Sequence, residues 1–161
     1  MPDGPVLYLA IEGVLIPLSA SRSRAGADAL KVGGTHVQRL ECLLDEVDAK
    51  VIVNSSLVQS QGYSATLGTL SDGIRLRTVG ATMPGNRVLG NRMRKSANRR
   101  AWLEDDIRRR QAGRVAIIDH DFRYVPVQLR HLTLIANGGL GSVSEDDWMK
   151  LRELLMQRNS H

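Results

Sequence analysis

Three short polar clusters carry the side chains in this sequence best suited to chemistry, and each follows an apolar run. Ala10, Ile11, Glu12 and Gly13 follow "VLYL"; Asn54, Ser55 and Ser56 follow "KVIV"; Asp119, His120 and Asp121 follow "RVAII". Glu12 brings a carboxyl group that can move a proton, or simply cap the turn at Gly13. Asp119 and Asp121 flank a histidine, a set that invites Mg²⁺ or Zn²⁺, although zinc lacks a second His or Cys cluster here. Ser55 and Ser56 are suited to capping backbone groups where the next helix begins. Lys95 opens a charged segment that can reach the same edge. Ala10 stands out among these residues because a methyl group can perform none of this chemistry.

For the clusters to meet, the runs before them must be neighbouring strands. The apolar runs are "VLYLAI" (6–11), "KVIVN" (50–54), "IRLRTV" (74–79), "RVAIID" (114–119) and "HLTLIA" (131–136). The first, second and fourth are almost wholly apolar, as strands buried on both faces of a parallel sheet must be. In 74–79 apolar and basic residues alternate, which predicts an edge strand. Thr35 and Gln38 have capping-box spacing ahead of a stripe of Val37, Leu40, Leu44 and Val47. A shorter helix is expected over 63–70. A charged helix is expected from about Lys95 to Gln111, with i,i+4 pairs Glu104/Arg108, Asp105/Arg109 and Asp106/Arg110, ending at Gly113. Ser144 and Asp147 start a last helix with Trp148, Leu151 and Leu155 on its inner face. Strand and helix alternate, so the expected fold class is α/β: three-layer α/β/α, Rossmann-like, with a mostly parallel five-stranded sheet. Ligands of such sheets bind outside the carboxyl ends of the strands. Residues 17–34, rich in Ser, Gly and Ala, and 80–94, which mix Gly, Pro and Asn with three arginines, are placed to overhang that edge. No repeat or linker divides residues 1–161, which are expected to form one domain.

Composition narrows the partners. At 161 residues with 4 % aromatics, the core must be aliphatic. No apolar stretch reaches the roughly 18 residues of a membrane helix. "MPDGP" is a poor signal peptide, and the single Cys42 makes no internal disulfide, so a cytoplasmic location is expected. A net charge of +5 and a pI near 9.9 suggest phosphates, nucleic acid or acidic protein as partners. Arg92, Arg94, Lys95, Arg99 and Arg100 form either a solvated helix face or an anion-binding face for RNA. Only Tyr63 and Tyr124 are placed to stack on bases. His36, His131 and His161 are isolated and read as structural or solvent-facing.

The motif order resembles the haloacid dehalogenase (HAD) superfamily of phosphohydrolases, in its small capless form, and most nearly the HAD domains of RNA-repair-associated proteins. "AIEGVL" (10–15) occupies the place of that family's Asp-x-Asp-Gly-Val-Leu, and "VIVNSS" that of an apolar strand ending in Ser or Thr. Lys95 stands seven positions before Trp102-Leu103, "VAIIDHD" matches a strand ending in paired acids, and "GGLGSVSEDDWMKL" is similar to the family's closing segment. The resemblance implies a phosphoryl-transfer site. A first Asp would attack phosphorus and bind Mg²⁺, and a second would serve as general acid and base. Ser55 and Lys95 would hold phosphoryl oxygens, while Asp119 and Asp121 would complete a metal site.

The sequence departs from that pattern at its centre. Ala10 takes the nucleophile's seat, Glu12 keeps a carboxyl in the acid/base seat one methylene longer, and His120 replaces one of the paired acids. A magnesium site left mainly to Asp119 and Asp121 is expected to be weak. The expected function is therefore a catalytically degenerate HAD-like domain, with an anion pocket kept for binding or regulation of a phosphate-bearing ligand or RNA. The alternatives are a Mg²⁺-dependent phosphohydrolase working through Glu12 and Asp119, and a protein-interaction module with no small ligand.

Overall fold

A computed structural model describes residues 4–18, 34–83 and 98–157. Five strands form one sheet: β1 (Val6–Leu9), β2 (Lys50–Val53), β3 (Thr78–Ala81), β4 (Val115–Asp119) and β5 (Thr133–Ile135). Their order is β3-β2-β1-β4-β5, and every pairing is parallel. The chain winds outward from β1 to β3, then returns to build the other half from β4. The order thus reverses between β1 and β4, which is where a doubly wound sheet opens a crevice.

Alternation along the central strands assigns the two faces. Leu7, Leu9, Val51, Val53, Ala116 and Ile118 face α1 (Thr35–Val47) and the last helix, α6 (Glu145–Met156). Val6, Tyr8, Ile52, Val115 and Ile117 face Leu103 of α5 (Arg99–Arg110) and Leu129 and Leu132 of a 3₁₀ segment (Val127–Leu132). Both faces are covered, so the sheet is the middle of three layers. No helix among the described residues is long and apolar enough to cross a membrane.

Several local expectations are corrected. Residues 74–77 of the anticipated edge strand belong to a helix, α4 (Asp72–Arg77), and the strand begins at Thr78. The reason is tertiary: Ile74 is fully buried while Leu76 is 83 % exposed, a helical rather than alternating pattern of burial. Between β2 and α4 the chain forms two short helices, α2 (Leu57–Gln61) and α3 (Tyr63–Gly68). Thr35 lies inside α1; Gly34 is the N-cap and no side chain caps that end. Helix α5 ends at Gln111, in the left-handed region at φ 51°, rather than at Gly113. Ser144 does cap α6, accepting from the Asp147 N–H at 3.2 Å. All three i,i+4 ion pairs of α5 form.

The third of those pairs belongs to a buried network. The Tyr8 hydroxyl donates to Asp106 Oδ2 at 2.6 Å, and Arg110 Nε donates to the same oxygen at 2.7 Å. This fixes α5 to the centre of β1. Burial, helped by the Asp106 charge, holds the Tyr8 phenol well above its ordinary value of 10.0. The folded state therefore favours the neutral phenol, whereas the unfolded chain releases the proton near pH 10. The stabilising contribution is complete below about pH 10 and lost as pH rises further. In an alkaline absorbance titration, the Tyr8 phenolate should appear only with unfolding, and Tyr8→Phe should remove that late step.

Candidate active site

The backbone ladder runs one residue beyond each strand, which fixes the polar clusters. Ala10 N–H bonds Ile118 O at 3.0 Å, Asn54 N–H bonds Leu9 O at 2.8 Å, and Ala136 N–H bonds the Asp119 carbonyl at 2.8 Å. Ala10, Asn54 and Asp119 are all fully buried there. After Ala10 the chain turns sharply: Ile11 O accepts from the N–H groups of Val14, Leu15 and Ile16. Gly13 makes the turn possible, with φ at 77° and no room for a Cβ, which would lie 2.6 Å from His120 Cγ.

Glu12 is not a solvated turn cap. It is only 6 % exposed, and its Oε1 is the meeting point of three donors, two from the second cluster and one from the residue after it. The Ser55 hydroxyl donates to it, the Ser56 hydroxyl approaches at 3.3 Å, and the Leu57 N–H at 3.2 Å. Ser55 Oγ also accepts from the Leu57 N–H at 3.1 Å, so it holds the first N–H of α2 as well as Glu12. Hydroxyls and an N–H converging on one oxygen form an anion cradle, and the chain's own carboxyl group fills it.

The third cluster is bound by arginines. Arg99 Nη1 donates to Asp119 Oδ2 at 2.9 Å and Nη2 to Oδ1 at 3.3 Å; Nη1 also donates to Asn54 O at 2.9 Å. The guanidinium lies over the Tyr124 ring at 4.0 Å and is 7 % exposed. Oδ1 additionally accepts from the His120 N–H at 2.7 Å. Burial raises the Asp119 carboxyl above its ordinary value, while Arg99 and that N–H pull against the shift. Asp121 is partnered by Arg123, whose backbone N–H and Nε both reach it at 2.8 Å. The Arg123 N–H, more than its side chain, holds the Asp121 carboxyl below its usual range. His120 packs against the Tyr124 ring, and its Nδ1 lies 3.2 Å from Asp119 Oδ1, close enough for a charge contact but without hydrogen-bond geometry. A cleft of about 490 Å³ opens beside it, walled by Gly13, Val14, His36, Gly139 and Leu140.

Glu12, Ser55, Asp119 and the Ala10 seat are thus brought to one edge, with Asp121 just beyond. Lys95 lies outside the described residues, as do Arg92 and Arg94. Among the described residues the basic side chain that enters the site is Arg99, from the run that reads in the sequence as either a solvated or an anion-binding helix face. A signal for it exists. Arg99, Trp102, Leu103 and Asp106 are the buried residues of α5, spaced i, i+3, i+4, i+7, so the arginine opens the helix's inward stripe. Tyr124, set aside for stacking bases, is occupied by Arg99 and His120.

A parallel β3-β2-β1-β4-β5 sheet, with an acid-glycine turn after β1 and a buried acid at the end of β4, makes this a Rossmann-like α/β domain with its polar groups at the strand ends. Residues 6–141 match the family described as the HAD domain in Swiss Army Knife RNA repair proteins. The chain belongs to that family. No curated protein and no solved structure matches it.

The geometry makes Ser55 a support of both Glu12 and α2. Ser55→Ala should lower unfolding stability by about 1–3 kcal/mol, the range for stranding a buried hydrogen-bonding group, as read by urea denaturation.

Proposed function

We propose that this protein is a catalytically degenerate HAD domain, a pseudo-phosphatase serving a binding or regulatory role. The observation that carries this reading is Ala10. It is fully buried at the end of β1, held by the Ile118 carbonyl, in the seat from which a carboxylate would attack phosphorus. Without that carboxylate no covalent intermediate can form, a loss typically on the order of four to six powers of ten in rate. The neighbouring arrangement supports the same conclusion. Ser55, the residue suited to a phosphoryl oxygen, already donates to Glu12. A phosphate-bearing ligand would reach the cradle only by displacing that side chain. The family's description and the charge of +5 make an RNA or another phosphate-bearing molecule the ligand class to test.

One observation favours a second reading, direct hydrolysis by an activated water. Glu12 keeps a buried carboxyl group at the strand edge, where a general base would stand. Against it, Oε1 already accepts from three donors and the other acid at the crevice is tied to Arg99.

The deciding assay is hydrolysis of p-nitrophenyl phosphate with Mg²⁺ by the purified chain. No turnover above background is expected. Robust turnover that disappears in Asp119→Ala would overturn the degenerate reading, and loss in Glu12→Gln as well would install the second.

A further inference from the structure

Three oxygens at the crevice converge as they would on a cation: Asp119 Oδ1 and Oδ2 from β4, and the main-chain oxygen of Asn54 after β2. All three accept from one guanidinium. We propose that Arg99 is the permanent cation of this site, standing in for the divalent metal ion that a HAD-type arrangement implies, so that the domain needs and binds none there.

The donor set does not fit Mg²⁺. That ion demands near-octahedral oxygen ligation at about 2.0–2.1 Å, with carboxylates as its usual protein ligands. Ala10 contributes no side-chain oxygen. Both oxygens of Asp119 are engaged, and Asp121 is turned outward to the backbone and side chain of Arg123. Among the described residues no three acids, histidines or cysteines come together as a metal site. Arg99 meets the demands of the position instead. Its planar fork matches the carboxylate, and one of its faces is covered by Tyr124. It also has a place to come from. As the first residue of α5, with Trp102 and Leu103 buried behind it, Arg99 is directed inward by the packing of the helix.

The losses of the nucleophile and of the metal are thereby connected. A nucleophilic aspartate beside Asp119 would place two carboxylates together and call for a divalent ion. With alanine at position 10 that second carboxylate beside Asp119 is missing, and one guanidinium is paired with Asp119. This inference deepens the pseudo-phosphatase reading and rests on it for the identity of the seat at Ala10. Its readout is metal binding, however, not turnover. A protein that hydrolyses phosphate without a metal would sink that reading alone, and an inactive protein that binds metal through Asp119 would sink this one alone.

The test is Mn²⁺ binding, followed by electron paramagnetic resonance and calorimetry at pH 8, with the full chain. Wild type should take up no Mn²⁺ that Asp119→Asn removes, and its thermal midpoint should be the same in MgCl₂ and in EDTA. Ala10→Asp/Arg99→Gln, which restores a second carboxylate and withdraws the guanidinium, should bind Mn²⁺ about ten- to a hundredfold more tightly than wild type. Asp119-dependent uptake by wild type would overturn the proposal, as would equal affinities in wild type and the double variant. Should the double variant not fold, the thermal midpoints of Arg99→Gln and Arg99→Gln/Asp119→Asn decide. The single variant should melt lower, because it leaves a buried carboxylate unpaired. A single variant that melts no lower than the double would count against Arg99 as the balancing charge, and the wild-type Mn²⁺ measurement needs no variant to fold.

Discussion

A carboxylate with no exposed surface must have a partner, and the partner available to Asp119 is a guanidinium at the start of α5. Much of the strand-end architecture follows from that requirement. Arg99 reaches Asp119 only because Trp102 and Leu103 seat the helix against the sheet. Tyr124 lies where it can cover the guanidinium face, and His120 is placed between that ring and the glycine turn. Removing one partner of such a pair typically costs about 3–5 kcal/mol, because the other is left buried and charged. The pair is thus less a source of stability than a constraint: neither member can change alone.

Two groups at the site are each satisfied from within. Glu12 fills a cradle of hydroxyl and amide donors, and Arg99 fills a nest of oxygens. An enzyme leaves such groups waiting for substrate and metal, since preorganised but unfilled donors are what stabilise developing charge. Here the glutamate's extra methylene, compared with an aspartate, gives the carboxyl group the reach to occupy the donors itself.

The sheet was legible because central parallel strands are apolar on both faces, and β1, β2 and β4 announce themselves that way. The error at 74–79 arose where that signal fails. Ile74 and Leu76 alternate with arginines, and an alternating hexapeptide also fits one and a half helical turns. Ala10, Glu12, Ser55 and Asp119 stand out in the sequence because strand ends are where such sheets place ligands, and the fold brings the four to one edge. The partners of those residues do not stand out. Which side chain fills a cradle depends on distances across strands, and Glu12 and Ser55 are 43 positions apart. Arg99 was hidden for another reason: it stands among other basic residues, and composition assigns such runs to solvent. Only the helical spacing to Trp102, Leu103 and Asp106 distinguishes it.

That spacing has an evolutionary corollary. Helix α5 is keyed to the sheet at two sites on one stripe: Arg99 engages the end of β4, and Asp106 engages the middle of β1. One residue inserted or deleted between them would rotate one key by about 100° relative to the other. Homologues that keep both contacts can therefore vary their loops in length, but must count out this segment residue for residue.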